Sequence, residues 1–303
     1  MNENDLFLEV SSSNEVINKR NYYKDFFSKI FNRPGFIIPL FILTIIFTSG
    51  LLVDIFIDKS SYLEVDFEKA FISPNKVYWF GTSEFGQNFF YQVLIGTYNT
   101  IKLSFIASLI NLFIGVVLGI IWGHNPKIDN LMIFIRNIFN NIPLPIFYII
   151  VISAIGNGFI PMLFVVTFLG WVNIACLIRN NLIIIRNKEY NIYSKLNNVS
   201  PVKIAIYNYL PFLLSIVFNS LAISMPEITS IEVTLSYFGF SLGEGNISLG
   251  TLLHSSISNN NCFNHPYLFL IPLAFIFTIN ICFYYIGKTI SNVSIKEDDV
   301  CLK

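Results

Sequence analysis

Charge is what this chain lacks, and it lacks it in long blocks. No Asp, Glu, Lys or Arg occurs between Arg136 and Arg179, from Ile204 to Pro226, or from Gly245 to Gly287. Charged residues make up 13% of the chain, about half the usual share of a globular domain. A soluble core has no use for apolar runs of this length. A bilayer requires them, because a helix needs roughly 20 apolar residues to cross a hydrocarbon core of about 30 Å. The runs exclude a soluble enzyme or binding module. They leave transport, signalling or catalysis within a membrane.

Catalytic and cofactor motifs are missing too. There is no phosphate-cradling glycine loop, no GxSxG and no HExxH. The chain is therefore expected to be non-enzymatic, with no cofactor of its own. Cys176, Cys262, Cys282 and Cys301 include no close pair, so no disulfide framework is expected. Cys301 stands third from the end, which rules out a prenylation box. His254, Cys262 and His265 share one loop, but their spacing matches no metal site, and Asn259, Asn260 and Asn261 read as plain loop. The 19 basic and 19 acidic residues cancel, which gives no cause to expect nucleic acid. The first 35 residues are polar and mixed in charge, too long a stretch to precede the apolar core of a cleavable signal.

What is present is 54% hydrophobic residues with 31 Phe and 15 Tyr. Six transmembrane spans are expected, at about 36–56, 101–123, 131–155, 159–179, 207–231 and 267–287. The fold class is all-α and polytopic. Gly156-Asn157-Gly158 with Pro161 marks a tight turn between the third and fourth spans. Residues 1–20 read as disordered. Tyr22, Tyr23, Phe26, Phe27, Ile30 and Phe31 recur at helical spacing beside Lys24, Lys29 and Arg33, the pattern of an amphipathic helix on a membrane surface. The domain order becomes a tail and interfacial helix over 1–35, an anchor over 36–56, an external loop over 57–98, a five-helix domain over 99–290 and a tail over 291–303.

Basic residues orient the spans. One side would hold Lys19, Arg20, Lys24, Lys29, Arg33, Lys127, Arg186, Lys188, Lys195, Lys203, Lys288, Lys296 and Lys303. The other gets Lys59, Lys69 and Lys76, with Lys102 at its edge. The positive-inside rule then puts both termini in the cytoplasm. The loop from about 180 to 206 falls on the same side. Its polar composition and Ser200-Pro201 helix start predict two short helices joined by a turn, a structure suited to docking a partner.

Gly115, Gly119 and Gly123 recur every fourth residue on one helix face and would let another backbone approach closely. Arg136, Glu227 and Glu232 sit in or near spans, where an ion costs at least about 2.5–3.5 kcal/mol on insertion scales. They are candidates for lining or gating a pathway. A structural role is the alternative, since Arg136 is near enough to the cytoplasmic side to snorkel.

Three stretches, in order, resemble a known family. Trp79-Phe80-Gly81-Thr82-Ser83-Glu84-Phe85-Gly86-Gln87-Asn88 resembles "WFGTDxxGRD", with Gln87 and Asn88 in place of Arg and Asp. Glu189-Tyr190 through Leu210-Pro211 is similar in length to "EYVEAARALGAS…LP". Glu232-Val233-Thr234-Leu235-Ser236-Tyr237-Phe238-Gly239-Phe240 resembles "EASLSFLGLG", and Ser248-Leu249-Gly250 a later "SWG". The family is that of the inner-membrane permease subunits of peptide-type (oligopeptide, dipeptide, nickel) ABC importers. The match is to the second of the paired permeases, over about residues 20–290.

The resemblance implies an ABC type I bundle in a bacterial inner membrane. It implies a homologous permease as partner, two cytoplasmic ATP-binding subunits and an external solute-binding protein. Residues 180–211 would be the coupling loop that grips an ATPase. Glu189, Tyr190, Lys195, Ser200, Leu210 and Pro211 fit the family pattern there. Ile192, Tyr193 and Ser194 depart from its Glu-Ala-Ala, and Asn198 replaces a Gly, although Asn tolerates a left-handed backbone. The competing reading is a self-sufficient secondary transporter or channel built on Glu227 and Glu232. A membrane enzyme using His254 or His265 is the third.

Overall fold

The computed structural model describes residues 28–243, 245–258 and 261–301. The expected disordered segment and most of the expected surface helix lie outside the described residues. Ile30 is described, and it is buried in a cluster with Ile286, Ile290 and Val293.

The described residues form helices joined by short irregular segments; the one β-type feature among them is an isolated bridge between Thr82 and Asn88. Helix α1 is Pro34–Phe56 and α2 is Phe89–His124. Pro126–Asn140 forms α3 and Leu144–Ile155 forms α4. Phe159–Arg186 is α5, Glu189–Leu196 is α6 and Leu210–Tyr237 is α7. Leu249–Ser258 is α8 and Tyr267–Cys301 is α9. Five of them, α1, α2, α5, α7 and α9, are long and apolar enough to cross a membrane. The chain is an all-α polytopic membrane protein.

The third span departs from expectation. Residues 131–155 do not form one rod, because α3 and α4 meet at a bend of 83°. The cause is local. Pro143 has an extended backbone at the start of α4 and Pro145 follows it inside the first turn, so neither can continue an incoming ladder of helical hydrogen bonds. The pair supplies a sixth span only if the broken segment is taken as one.

The loop expected over 57–98 ends ten residues early, since α2 already begins at Phe89. Asn88 caps it by accepting from the Phe90 amide at 3.1 Å. Asn thereby keeps the capping ability of the Asp that the resemblance would place there. Residues 89–98 are mostly buried, with Thr97 and Val93 fully so, which rewards helix over loop. At the other terminus, α9 runs on to Cys301 through most of the expected tail.

The glycine face of α2 is where this helix and α5 approach closely. A Cβ on Gly115 would stand 2.8 Å from the Ile174 Cβ, and one on Gly119 would stand 2.7 Å from the Ala175 carbonyl oxygen. Gly123 meets Leu182 in the same way. Small residues at a four-residue interval let α2 and α5 pack backbone to backbone, the route to tight association in lipid.

Candidate functional site

The 57–88 segment packs at the end of the bundle where α2 begins and is tied down by glutamine chemistry. Gln87 donates to the Leu63 carbonyl at 2.7 Å, and its Oε1 accepts from Gln92 at 2.6 Å. Gly81 and Gly86 hold positive φ values of 78° and 74°. A Cβ on Gly86 would fall 1.8 Å from the Asp66 carbonyl oxygen, so only glycine fits that turn. Glu84 accepts from Asn261 at 2.9 Å, joining this segment to the one before α9. At the surface, Lys69 pairs with Asp66 at 2.6 Å and holds its carboxyl below the ordinary carboxylate range.

Glu232 lies deeper at the same end, fully buried. Its Oε1 accepts from Ser236 at 2.9 Å and its Oε2 from Thr100 at 3.3 Å. The Ser248 hydroxyl bonds to it as well. Three hydroxyl donors around one carboxylate are the arrangement that makes a buried acid tolerable. They come from α2, α7 and the start of α8, so the cluster fastens the Ser248-Leu249-Gly250 segment between two spans. Gly96 and Gly250 allow the approach: a Cβ on Gly96 would stand 3.1 Å from the Ser248 carbonyl carbon, and one on Gly250 would stand 2.6 Å from the Ser236 Cβ.

Glu227 stands five residues earlier on α7 and has a different setting. It is exposed, together with Ile223, Ser230, Thr234 and Tyr237 along one side of the helix. A cavity of about 410 Å³ opens beside it, walled by Leu144, Pro145 and Tyr148 of α4 and by Ile231 and Leu235. Further along the same side, a second cavity of about 440 Å³ lies between α7 and α9, with Asn219, Asn280, Tyr284 and Lys288 in its lining. Polar groups on an outward face of a spanning helix are costly against lipid tails. This face therefore suits a water-filled path or a protein partner.

The opposite end of the bundle carries residues 187–209. Here α6 is followed by a second short helix, Pro201–Ile204, and a π-helical turn, Ala205–Tyr209. Asn198, between the two helices, has φ of 54°. Ser200 caps the second helix by accepting from the Lys203 amide at 3.3 Å. Glu189 and Lys195 fall within α6 with Tyr190, while Leu210 and Pro211 begin α7.

The loop is bolted to the spans. Buried Asn191 donates to the Ile185 carbonyl at 2.8 Å and accepts from Asn208 at 2.9 Å. Arg186 donates to the Gly123 carbonyl at 2.7 Å. Tyr209 is buried, which pushes its phenol up, and its hydroxyl lies 3.4 Å from His124 Nδ1. Facing outward instead are Ile192, Tyr193 and Leu196, with Val202 and Tyr207 beyond them.

Sequence reasoning passed over one feature near this end. Asp129 accepts from Trp122 Nε1 at 2.7 Å and from Arg179 Nε at 2.9 Å, and Arg179 makes a second bond through Nη2. The pair ties α3 to α2 and α5. Arg179 closes one of the long uncharged runs, which is the available signal; nothing local marks Asp129 as its partner. Arg136, which the sequence does single out, is half-buried on α3, and its Nε has no hydrogen-bond partner among the described residues. Among those residues no group of three His, Cys, Asp or Glu side chains could hold a metal ion.

A bundle of spanning helices with a rigid helical loop at one end and a polar face along one span is the build of a membrane permease. The family model described as the binding-protein-dependent transport system inner membrane component matches residues 115–292, and the chain belongs to this family. It is 32% identical over 278 residues to the oligopeptide transport system permease protein AmiD of Streptococcus pneumoniae, covering 90% of this chain and 89% of the relative. It is 23% identical over 265 residues to the oligopeptide permease OppC of Bacillus subtilis, covering 86% of each. The dipeptide permease DppC of Bacillus subtilis is 25% identical over 219 residues, covering 72% of this chain and 68% of the relative.

Proposed function

We propose that this chain is one permease subunit of an ATP-driven importer of oligopeptides or dipeptides. It forms half of the translocation path beside a homologous permease. Two separate ATP-binding subunits dock at residues 187–209, and a solute-binding protein delivers substrate at the opposite end. Both termini and the docking loop face the cytoplasm of a bacterial cell. The peptide assignment follows the named substrates of the relatives. The orientation follows the basic residues.

The observation that carries this reading is the contrast within the loop. Its inner side is hydrogen-bonded to two spans, to α5 through Asn191 and to α2 through Tyr209, and Arg186 at the end of α5 ties those two spans together; its outer side leaves Tyr193 and Leu196 at 70% and 76% exposure. A rigid lever with an apolar outer face can take up the motion of another domain. A self-sufficient transporter has less support, because Glu232 is enclosed by hydroxyls rather than open to a path.

A single cysteine at Leu196, in a chain whose native cysteines are replaced by serine, tests the reading. Co-expressed with its ATP-binding subunits, it should crosslink to one of them. It should also resist a membrane-impermeant maleimide in intact cells. Ready labelling from outside would invert the topology and overturn the proposal.

A further inference from the structure

We propose that Glu227 receives the protonated amino terminus of the peptide in transit. The inference rests on the import reading above and assigns one end of the substrate to one residue. It starts from the hydrogen-bonding character of the cavity between α4 and α7. Ser230 spends its proton on the Pro226 carbonyl at 2.8 Å, and Thr234 spends its own on the Ser230 carbonyl at 2.7 Å. Both hydroxyls then have only lone pairs to offer. The Glu227 carboxylate is an acceptor as well.

The polar side chains that α7 contributes to this cavity therefore form a row of acceptors, with apolar walls from Leu144, Pro145, Ile231 and Leu235; from α4, Tyr148 adds a phenol that can donate or accept. An ammonium group is the complement: three donors, no acceptor and one positive charge. No Lys or Arg lines the cavity, and no ion pair among the described residues involves Glu227. The chain supplies the negative charge without its counter-charge. A volume of about 410 Å³ lies within the range of small-molecule sites and leaves room for the first residues of a peptide.

Glu232 makes the contrast. It has three hydroxyl donors of its own and no open space. Two carboxylates on one helix are thus divided between holding the bundle and meeting a cation. Every peptide with a free amino terminus carries that cation whatever its side chains, which suits a carrier that accepts many sequences.

The test uses the whole importer in proteoliposomes, with saturating binding protein and ATP. A tripeptide with neutral side chains is compared with its N-acetylated form. Glu227→Gln keeps the shape and removes the charge. It should lower the maximal uptake rate of the free peptide about tenfold and that of the acetylated peptide less than twofold, with Glu227→Asp close to wild type. A second readout covers the case in which the binding protein refuses the acetylated form. A photoreactive group on the first residue of the peptide, in the nucleotide-trapped complex, should label the 144–148 or 227–235 segment; one on the last residue should not. Equal loss for both peptides, no loss in Glu227→Gln, or labelling from the last residue alone would overturn the assignment. If the wild-type complex takes up no peptide at all, the import reading itself has failed.

Discussion

Thr100 and Glu232 meet across 132 positions of sequence, and a single hydroxyl serves two partners there. Thr100 donates to the Glu232 carboxylate at 3.3 Å and accepts from the Leu249 amide at 3.2 Å. One side chain thereby joins α2, α7 and the first residue of α8. Thr100→Val keeps the shape and removes both bonds. It leaves a buried acid short of a donor and a buried amide without an acceptor, at a cost of about 1–3 kcal/mol for each unsatisfied group. Thermal unfolding in detergent should show a lower midpoint for Thr100→Val than for Thr100→Ser. Equal midpoints would mean that the cluster contributes no stability.

Gly119 sets two effects against each other. Alanine is the better helix former by about 1 kcal/mol. Yet the added methyl would lie 2.7 Å from the Ala175 carbonyl oxygen and 2.8 Å from the Ile178 Cβ. Overpacking of a tight contact costs typically about 1–3 kcal/mol. The contact should win, so Gly119→Ala is expected to destabilise and Gly119→Val to do so more strongly. A rise in the melting midpoint of Gly119→Ala would show that α2 and α5 have room to separate.

These two sites differ in how far the sequence announced them. The glycine face shows directly in the spacing of Gly115, Gly119 and Gly123, because the helical repeat alone puts them together. The spans show in the same way, since the bilayer imposes their length. Partnerships between elements carry no such signal. Glu232 could be recognised as an ion near a span, but Thr100 and Ser248 are ordinary residues until α2 and α8 close on it. The break between α3 and α4 escapes a hydropathy reading because residues 131–155 are mostly apolar, which outweighs Arg136, the nearby asparagines and the Pro143 and Pro145 pair. The start of α2 escapes for the opposite reason: Gln92 and Thr97 look like loop until their burial is seen.

Asp129 and Arg179 belong to that hidden class, and they offer a clean coupling measurement. Both are partly buried, with side-chain exposures of 27% and 19%. Asp129→Ala leaves Arg179 and the Trp122 indole without their common acceptor. Each single alanine variant should be destabilised, and the double variant should cost less than the sum. A coupling energy of roughly 0.5–3 kcal/mol is expected for residues in one network. Strict additivity in a double-mutant cycle would reduce the pair to a surface contact.

Asn198 tests the turn between α6 and Pro201–Ile204. Its φ of 54° is a left-handed conformation that costs most residues roughly 1–2 kcal/mol and glycine almost nothing. Asn198→Gly should fold and couple as well as the parent. Asn198→Val should distort the turn, with lowered peptide-stimulated ATP hydrolysis in the assembled importer. If Val matched Gly, the turn geometry would be irrelevant to coupling.

The exposed ridge of α6 separates folding from docking more sharply than any buried position can. Tyr193 and Leu196 are 70% and 76% exposed, so changing them removes little packing within this chain. Substitutions at such positions usually shift stability by no more than about 0.5 kcal/mol. An ATP-binding partner, by contrast, would bury them. Leu196→Asp should leave the melting midpoint of the isolated subunit unchanged and reduce co-purification of the ATP-binding subunits at least tenfold. Tyr193→Ala should act in the same direction. The two readouts must part company for the ridge to be a docking surface. If capture of the ATP-binding subunits survives both changes, the grip lies elsewhere in residues 187–209.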